Sequence, residues 1–170
     1  TASAADQING GAGTDTLKLY NSSGNPVLPT ISGIENIYIK SSTADYDVST
    51  ISGLTSLEID TVNVNGAARA YTLASGQSLT LTNVTDSGGS NNDVDVNAAA
   101  SVTAQTIKLN GVGDTAAAGD DVEIDINGAG VATLDVVAQA ASKVTLVNTG
   151  TALKTVNVSG DKDLTIADVA

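Results

Sequence analysis

The chain has 170 residues, 19 of them acidic and 7 basic, for a net charge of −12. That balance argues against a partner that needs basic patches, whether nucleic acid or an anionic membrane surface. Cysteine and histidine are both absent, which excludes disulfides, thiolate metal sites, thiol nucleophiles and the usual general base near neutral pH.

Phe, Trp and Met are missing as well, and only 4 Tyr are present. Val, Ile, Leu and Ala must therefore fill the interior. Each buries less area than an aromatic ring, and a thin interior such as that of stacked parallel β-coils suits them. No apolar run approaches the ~20 residues that cross a bilayer, so membrane insertion is not expected.

The first element is a glycine loop. Residues 10–18 read Gly-Gly-Ala-Gly-Thr-Asp-Thr-Leu-Lys, the nine-residue Gly-Gly-x-Gly-x-Asp-x-(apolar)-x pattern of calcium-binding β-rolls. Glycine permits the tight turn that aims carbonyls inward, here at Gly11 and Gly13. Asp15 adds the hard carboxylate oxygen that Ca²⁺ prefers. Upstream, Asp6-Gln7-Ile8-Asn9 resembles the tail of a preceding copy, so Asp6 and Asp15 stand nine residues apart, half a turn of a roll. Residues 1–30 are assigned to this loop and a linker containing Pro26 and Pro29, and residues 31–170 to a segment of β-repeats.

Beyond the linker, alternation of apolar and polar residues predicts short strands. After Thr16–Tyr20 they run Glu35–Lys40, Ser56–Asp60, Ser78–Val84, Asp93–Val96, Thr106–Asn110, Val122–Asn127, Ala132–Val137, Lys143–Asn148, Lys154–Ser159 and Asp163–Ala167. Ile31-Ser32-Gly33-Ile34-Glu35-Asn36-Ile37 is echoed by Ile51-Ser52-Gly53-Leu54-Thr55-Ser56-Leu57. The offset between the two copies falls within the range of solenoid repeats and predicts a parallel β-solenoid whose coils stack in register. The alternative is an antiparallel β-sandwich, since the second half spaces its strands about ten residues apart. Two Ala-rich stretches, Asn97–Gln105 and Ala138–Ser142, offer at most single helical turns. The sequence stops inside a strand-like pattern and does not begin with Met, so it is expected to be a fragment of a longer chain.

The string from Asp6 to Leu17, followed by Ile31-Ser32-Gly33-Ile34-Glu35-Asn36-Ile37, resembles the RTX-type bacterial surface-layer proteins and related secreted adhesins. The resemblance rests on these two motifs, and only one full nonapeptide is present. It implies an extracellular, calcium-dependent protein of the bacterial cell surface. Such a protein folds on meeting external Ca²⁺ and self-assembles into a lattice through neighbouring segments or subunits, with cell-surface polysaccharide as a further partner.

Several carboxylates are candidate Ca²⁺ ligands. Asp15 and the Gly11 and Gly13 carbonyls come first, with Asp6 as co-ligand. Glu35 lies about one coil after Asp15 and reaches the same ion if the coils stack. Asp86 and Asp93 flank a Gly/Ser/Asn stretch that suits Ca²⁺ or a plain loop. Asp114 with Asp120 and Asp121 forms a third group, because adjacent carboxylates repel unless a cation screens them. Asp45 and Asp47 form a fourth. Catalysis is not expected. Arg69 is the only Arg, and a lyase-like β-helix enzyme would need a cleft built around it. The runner-up is an adhesin module, which predicts a pocket or an exposed aromatic patch drawn from Tyr20, Tyr38, Tyr46 and Tyr71.

Overall fold

The computed structural model describes residues 3–21, 24–64, 67–86, 93–113 and 122–169. Every strand pairing among them is parallel. The chain is a β-solenoid, and the antiparallel sandwich is excluded.

One face has seven strands, in the order β14 (Thr155–Gly160), β12 (Thr133–Ala138), β10 (Ala104–Asn110), β8 (Ser78–Thr85), β6 (Ser56–Asn63), β4 (Asn36–Lys40) and β2 (Thr16–Tyr20). The opposite face has six: β15 (Leu164–Val169), β13 (Ser142–Asn148), β11 (Val122–Asn127), β9 (Asp93–Ala98), β7 (Arg69–Leu73) and β5 (Tyr46–Asp47). A two-stranded sheet pairs β1 (Gln7–Asn9) with β3 (Thr30–Ser32). From β4 onward, odd and even strands alternate between the two faces. This explains the close strand spacing of the second half, because two such strands make one coil.

The sequence repeat is the coil itself. Ile37 pairs with Leu57 and Ile39 with Ile59, and the weaker echo near the end pairs Leu134 with Val156. Period-two alternation turns one side chain in and the next out. Inward rows therefore run the length of the seven-stranded face. One is Leu17, Ile37, Leu57, Leu79, Ile107, Val136 and Val158; its neighbour is Leu19, Ile39, Ile59, Leu81 and Leu109. From Ile37 to Val136 the first row is at most 1% exposed. Val158, in the last coil, is 56% exposed.

Two of the four tyrosines are core residues. Tyr46 and Tyr71 stack in register on the six-stranded face and are buried. The Tyr46 hydroxyl shares a 2.6 Å hydrogen bond with Ser42 Oγ and donates to the Pro26 carbonyl at 2.9 Å. Those bonds satisfy the one polar atom that a buried tyrosine carries.

Coils are not equal in length. Thr16 pairs with Asn36, and the neighbouring bond from Asp15 to Glu35 spans 20 residues. Ser78 pairs with Thr106, and there the bond from Gln105 back to Gln77 spans 28 residues. The Ala-rich stretches are coil corners, not helices. Residues 97–98 finish β9 and 104–105 begin β10, and between them the Val102 amide donates to the Ala99 carbonyl at 2.9 Å, a single turn.

Four successive coils share a left-handed backbone at one rung position of the seven-stranded face. Ser41 and Gly111 directly follow β4 and β10, and Thr61 and Asn83 occupy the equivalent place within β6 and β8. All four have positive φ, at 57°, 72°, 58° and 51° respectively. Only Gly111 takes up that conformation without steric cost, and β-branched Thr61 is the least suited to it.

Candidate functional site

The glycine loop that begins at Gly10 leads into β2 and lies directly against the next coil. Gly11 and Gly13 have φ of 88° and 126°. A Cβ placed on Gly10 would fall 1.9 Å from the Gly33 carbonyl oxygen, and one on Gly33 would fall 2.9 Å from that of Gly11. Glycine on both sides is what lets the two backbones approach so closely. The Gly10 amide donates to the Ser32 carbonyl at 3.0 Å, which fastens the loop to its neighbour.

This contact brings Asp15 to Glu35. The Asp15 amide donates to Glu35 Oε2 at 2.8 Å, and the Asp15 carbonyl accepts from the amides of Glu35 and Asn36 at 3.3 and 3.1 Å. Glu35 repeats the pattern one coil on, where its carbonyl accepts from Thr55 and Ser56. Asp15 Oδ2 is buried and has no hydrogen-bond donor. An ionised carboxylate oxygen held away from water without a donor is costly unless a cation neutralises it. Two carboxylates on adjacent coils beside a glycine loop suit a hard cation that takes oxygen ligands. Among the described residues no three acidic groups gather around one point. Further ligands would thus be backbone carbonyls or water.

Asp6 is not part of this group. It precedes β1, whereas Asp15 precedes β2, and those strands lie in different sheets. Asp6 Oδ2 accepts from the Ser3 amide at 2.8 Å, and the Asp6 carbonyl accepts from Thr30 at 2.9 Å. The half-turn spacing is what sends the two carboxylates to different sheets. Asp86 is buried just after β8 and is engaged by a partner. Asp93 opens β9 opposite Glu123 in register, and two residues on Asp95 stands opposite Asp125. Asp95 accepts a 2.9 Å bond from Asn127 Nδ2. Asp114, Asp120 and Asp121 lie outside the described residues.

Asp45 and Asp47 serve the backbone. Asp45 Oδ1 accepts from the Ala70 amide at 2.9 Å, and Asp47 Oδ1 accepts from the Ser49 amide and hydroxyl at 3.0 and 2.6 Å. With Pro26, Val27, Leu28 and Tyr46 they line an open depression of about 290 Å³. Arg69 Nη1 donates to the Ala68 carbonyl at 3.1 Å.

A second cluster sits on the outer side of the seven-stranded face. Tyr20 is 58% exposed. Its ring centroid lies 5.9 Å from that of Tyr38, with the planes tilted by 56°. Lys18 Nζ stands 5.7 Å from the centre of the Tyr38 ring, within reach of a cation–π contact. Tyr38 donates a short hydrogen bond to Asp60 Oδ2, and Lys40 Nζ approaches the same oxygen at 3.4 Å. Asp60 Oδ1 accepts from Thr61 Oγ1 at 2.8 Å and Asn83 Nδ2 at 3.1 Å.

These contacts shift both groups. Burial alone would raise the Asp60 pKa, but bonds from Tyr38, Thr61, Asn83 and Lys40 together outweigh it and hold the carboxyl below its usual range. The bond to Asp60, reinforced by burial and by the nearby negative charge, pushes the Tyr38 phenol well above its ordinary value. Next to this network lies a groove of about 370 Å³ whose lining includes Thr16, Lys18, Asn36, Tyr38, Ser56 and Glu58. The sequence carried a signal for the cluster. Applying the repeat offset to outward positions puts Tyr20, Lys40 and Asp60 in one row and Lys18, Tyr38 and Glu58 in the next.

Comparison with models of protein families, with curated proteins and with solved structures gives no match to this chain.

Proposed function

We propose that this solenoid is a structural segment of a calcium-dependent, secreted protein of the bacterial cell surface, one that self-assembles into a surface layer. The observation that carries the reading is the buried, donorless Oδ2 of Asp15 beside Glu35 in a glycine-lined bend. Ca²⁺ held there would tie the first coil to the second. Being bound by the folded chain alone, it would stabilise by mass action, by about 2.7 kcal/mol at a hundredfold excess over Kd.

The test is thermal melting followed by circular dichroism, in Ca²⁺ and then in chelator. Ca²⁺ should raise Tm, and Asp15→Asn with Glu35→Gln should abolish the rise. A wild-type Tm that does not respond to Ca²⁺ sinks the calcium reading.

A second reading, an adhesin module for a surface ligand, is favoured by the exposed ring of Tyr20, which packs against the half-buried Tyr38.

A further inference from the structure

We infer that the outer face of the first three coils is a platform for a neutral polysaccharide, with the exposed ring of Tyr20 as its stacking surface and Tyr38 bracing it. The inference rests on the adhesin reading and is independent of the calcium site.

Aromatic groups are scarce here, so their placement is informative. Of the four tyrosines, Tyr46 and Tyr71 fill the core. The other two share one outward face, with ring centres 5.9 Å apart. Tyr20 contributes little to the fold, being 58% exposed on the outside of the sheet. Tyr38 is held in place. Its hydroxyl is tied to Asp60 and its ring carries Lys18.

A pyranose presents a face of C–H groups, slightly positive, and a rim of hydroxyls. The C–H face suits the negative face of a tyrosine ring. The rim suits groups that bond two neighbouring hydroxyls at once, and Asn36, Ser56 and Glu58 line the groove beside Tyr38. Adjacent rungs lie ~4.8 Å apart, comparable with the length of one sugar ring. A glycan laid along the solenoid axis would therefore meet each rung with about one sugar.

Charge selects among glycans. Lys18 and Lys40 balance Glu58 and Asp60 on this face, while the whole chain carries −12. An anionic polymer gains nothing locally and is repelled globally. A neutral one meets no such penalty.

The test is affinity electrophoresis of the whole chain through gels containing a neutral glucan, mannan or galactan, with alginate as the anionic control. At least one neutral polymer should retard the wild type. Tyr20→Ala should weaken that retardation about tenfold, as for a central aromatic contact, without moving Tm. Tyr38→Phe keeps the ring and should retain most of the binding. Retardation that survives Tyr20→Ala overturns this placement and leaves the adhesin reading standing. No retardation by any polymer overturns the platform and leaves an adhesin reading only for a ligand other than a glycan. Retardation by alginate alone overturns the inference, as does a concentration-dependent dimer that Tyr20→Ala abolishes while no glycan binds.

Discussion

Asp60 gives the sharpest test of how this outer face is held. The residue is 6% exposed, and its carboxylate gathers Tyr38, Lys40, Thr61 and Asn83 from three successive coils. Asp60→Ala removes the acceptor from all four. Lys40 is 43% exposed along its side chain and recovers water, so its loss is small. Thr61 and Asn83 are also exposed, and each bond to a charged acceptor there contributes about 1 kcal/mol net. Tyr38, partly buried, loses somewhat more. The bonds share one hub and do not add fully, so the expected cost is about 2–3 kcal/mol, or a fall in Tm of roughly 5–10 °C for a chain of this size. Asp60→Asn keeps the shape and one acceptor and should cost about half as much. Acid supplies the control. The folded carboxyl titrates below its unfolded value of about 3.9. The stabilisation is therefore complete above that pH and is lost as pH falls through the folded value. Wild type and Asp60→Asn should differ fully at pH 7, begin to converge only below pH ~4, and coincide once pH falls below the depressed folded value. Equal stability at pH 7, or a gap that persists undiminished into acid, would refute the hub.

Three further substitutions probe the solenoid. Thr61→Asn relieves a β-branched residue at φ 58° in favour of one that tolerates the left-handed region, but gives up the hydroxyl bond to Asp60, so two opposing effects of about 1 kcal/mol nearly cancel and denaturant titrations should show a change below about 0.5 kcal/mol. Leu57→Ala empties a fully buried site between Ile37 and Leu79. It should cost about 2–5 kcal/mol, whereas Val27→Ala, at a side chain 51% exposed, should cost little.

The coil was legible because its length stays at 20 residues from Asp15 to Glu35 and again from Glu35 to Thr55. Ile31–Ile37 and Ile51–Leu57 repeat both the turn glycine and the inward residues, and the structure pairs them in that register. Alternation alone did not separate solenoid from sandwich, since either fold turns every second residue inward. Only the offset carries pairing information. It weakened beyond Gln77, where the coil lengthens to 28 residues, and that irregularity hid the topology of the second half. The strands β3, β5 and β7 were not apparent because they are short or lie among loop-forming residues, with Pro29 just ahead of Thr30. The left-handed rung position was hidden as well. Ser41, Thr61 and Asn83 carry no glycine to mark it, and tertiary context imposes the conformation. At the glycine loop, Asp15 and Glu35 were joined by coil spacing, while the nine-residue step that linked Asp6 to Asp15 is half a coil and divides them between sheets. The Asp60 hub depends on that left-handed backbone and on a tyrosine from the preceding coil, neither of which composition reveals.

The parallel ladders also determine how such a rod yields to tension. Strands run across the long axis, so the hydrogen bonds between rungs point along it. An end-to-end pull loads the outermost rung first and peels it away before the next one feels the force. A coil of 20 residues, such as that from Asp15 to Glu35, then releases about 70 Å of extended backbone. The molecule would give way in small, repeated steps and keep its remaining windings intact behind each one.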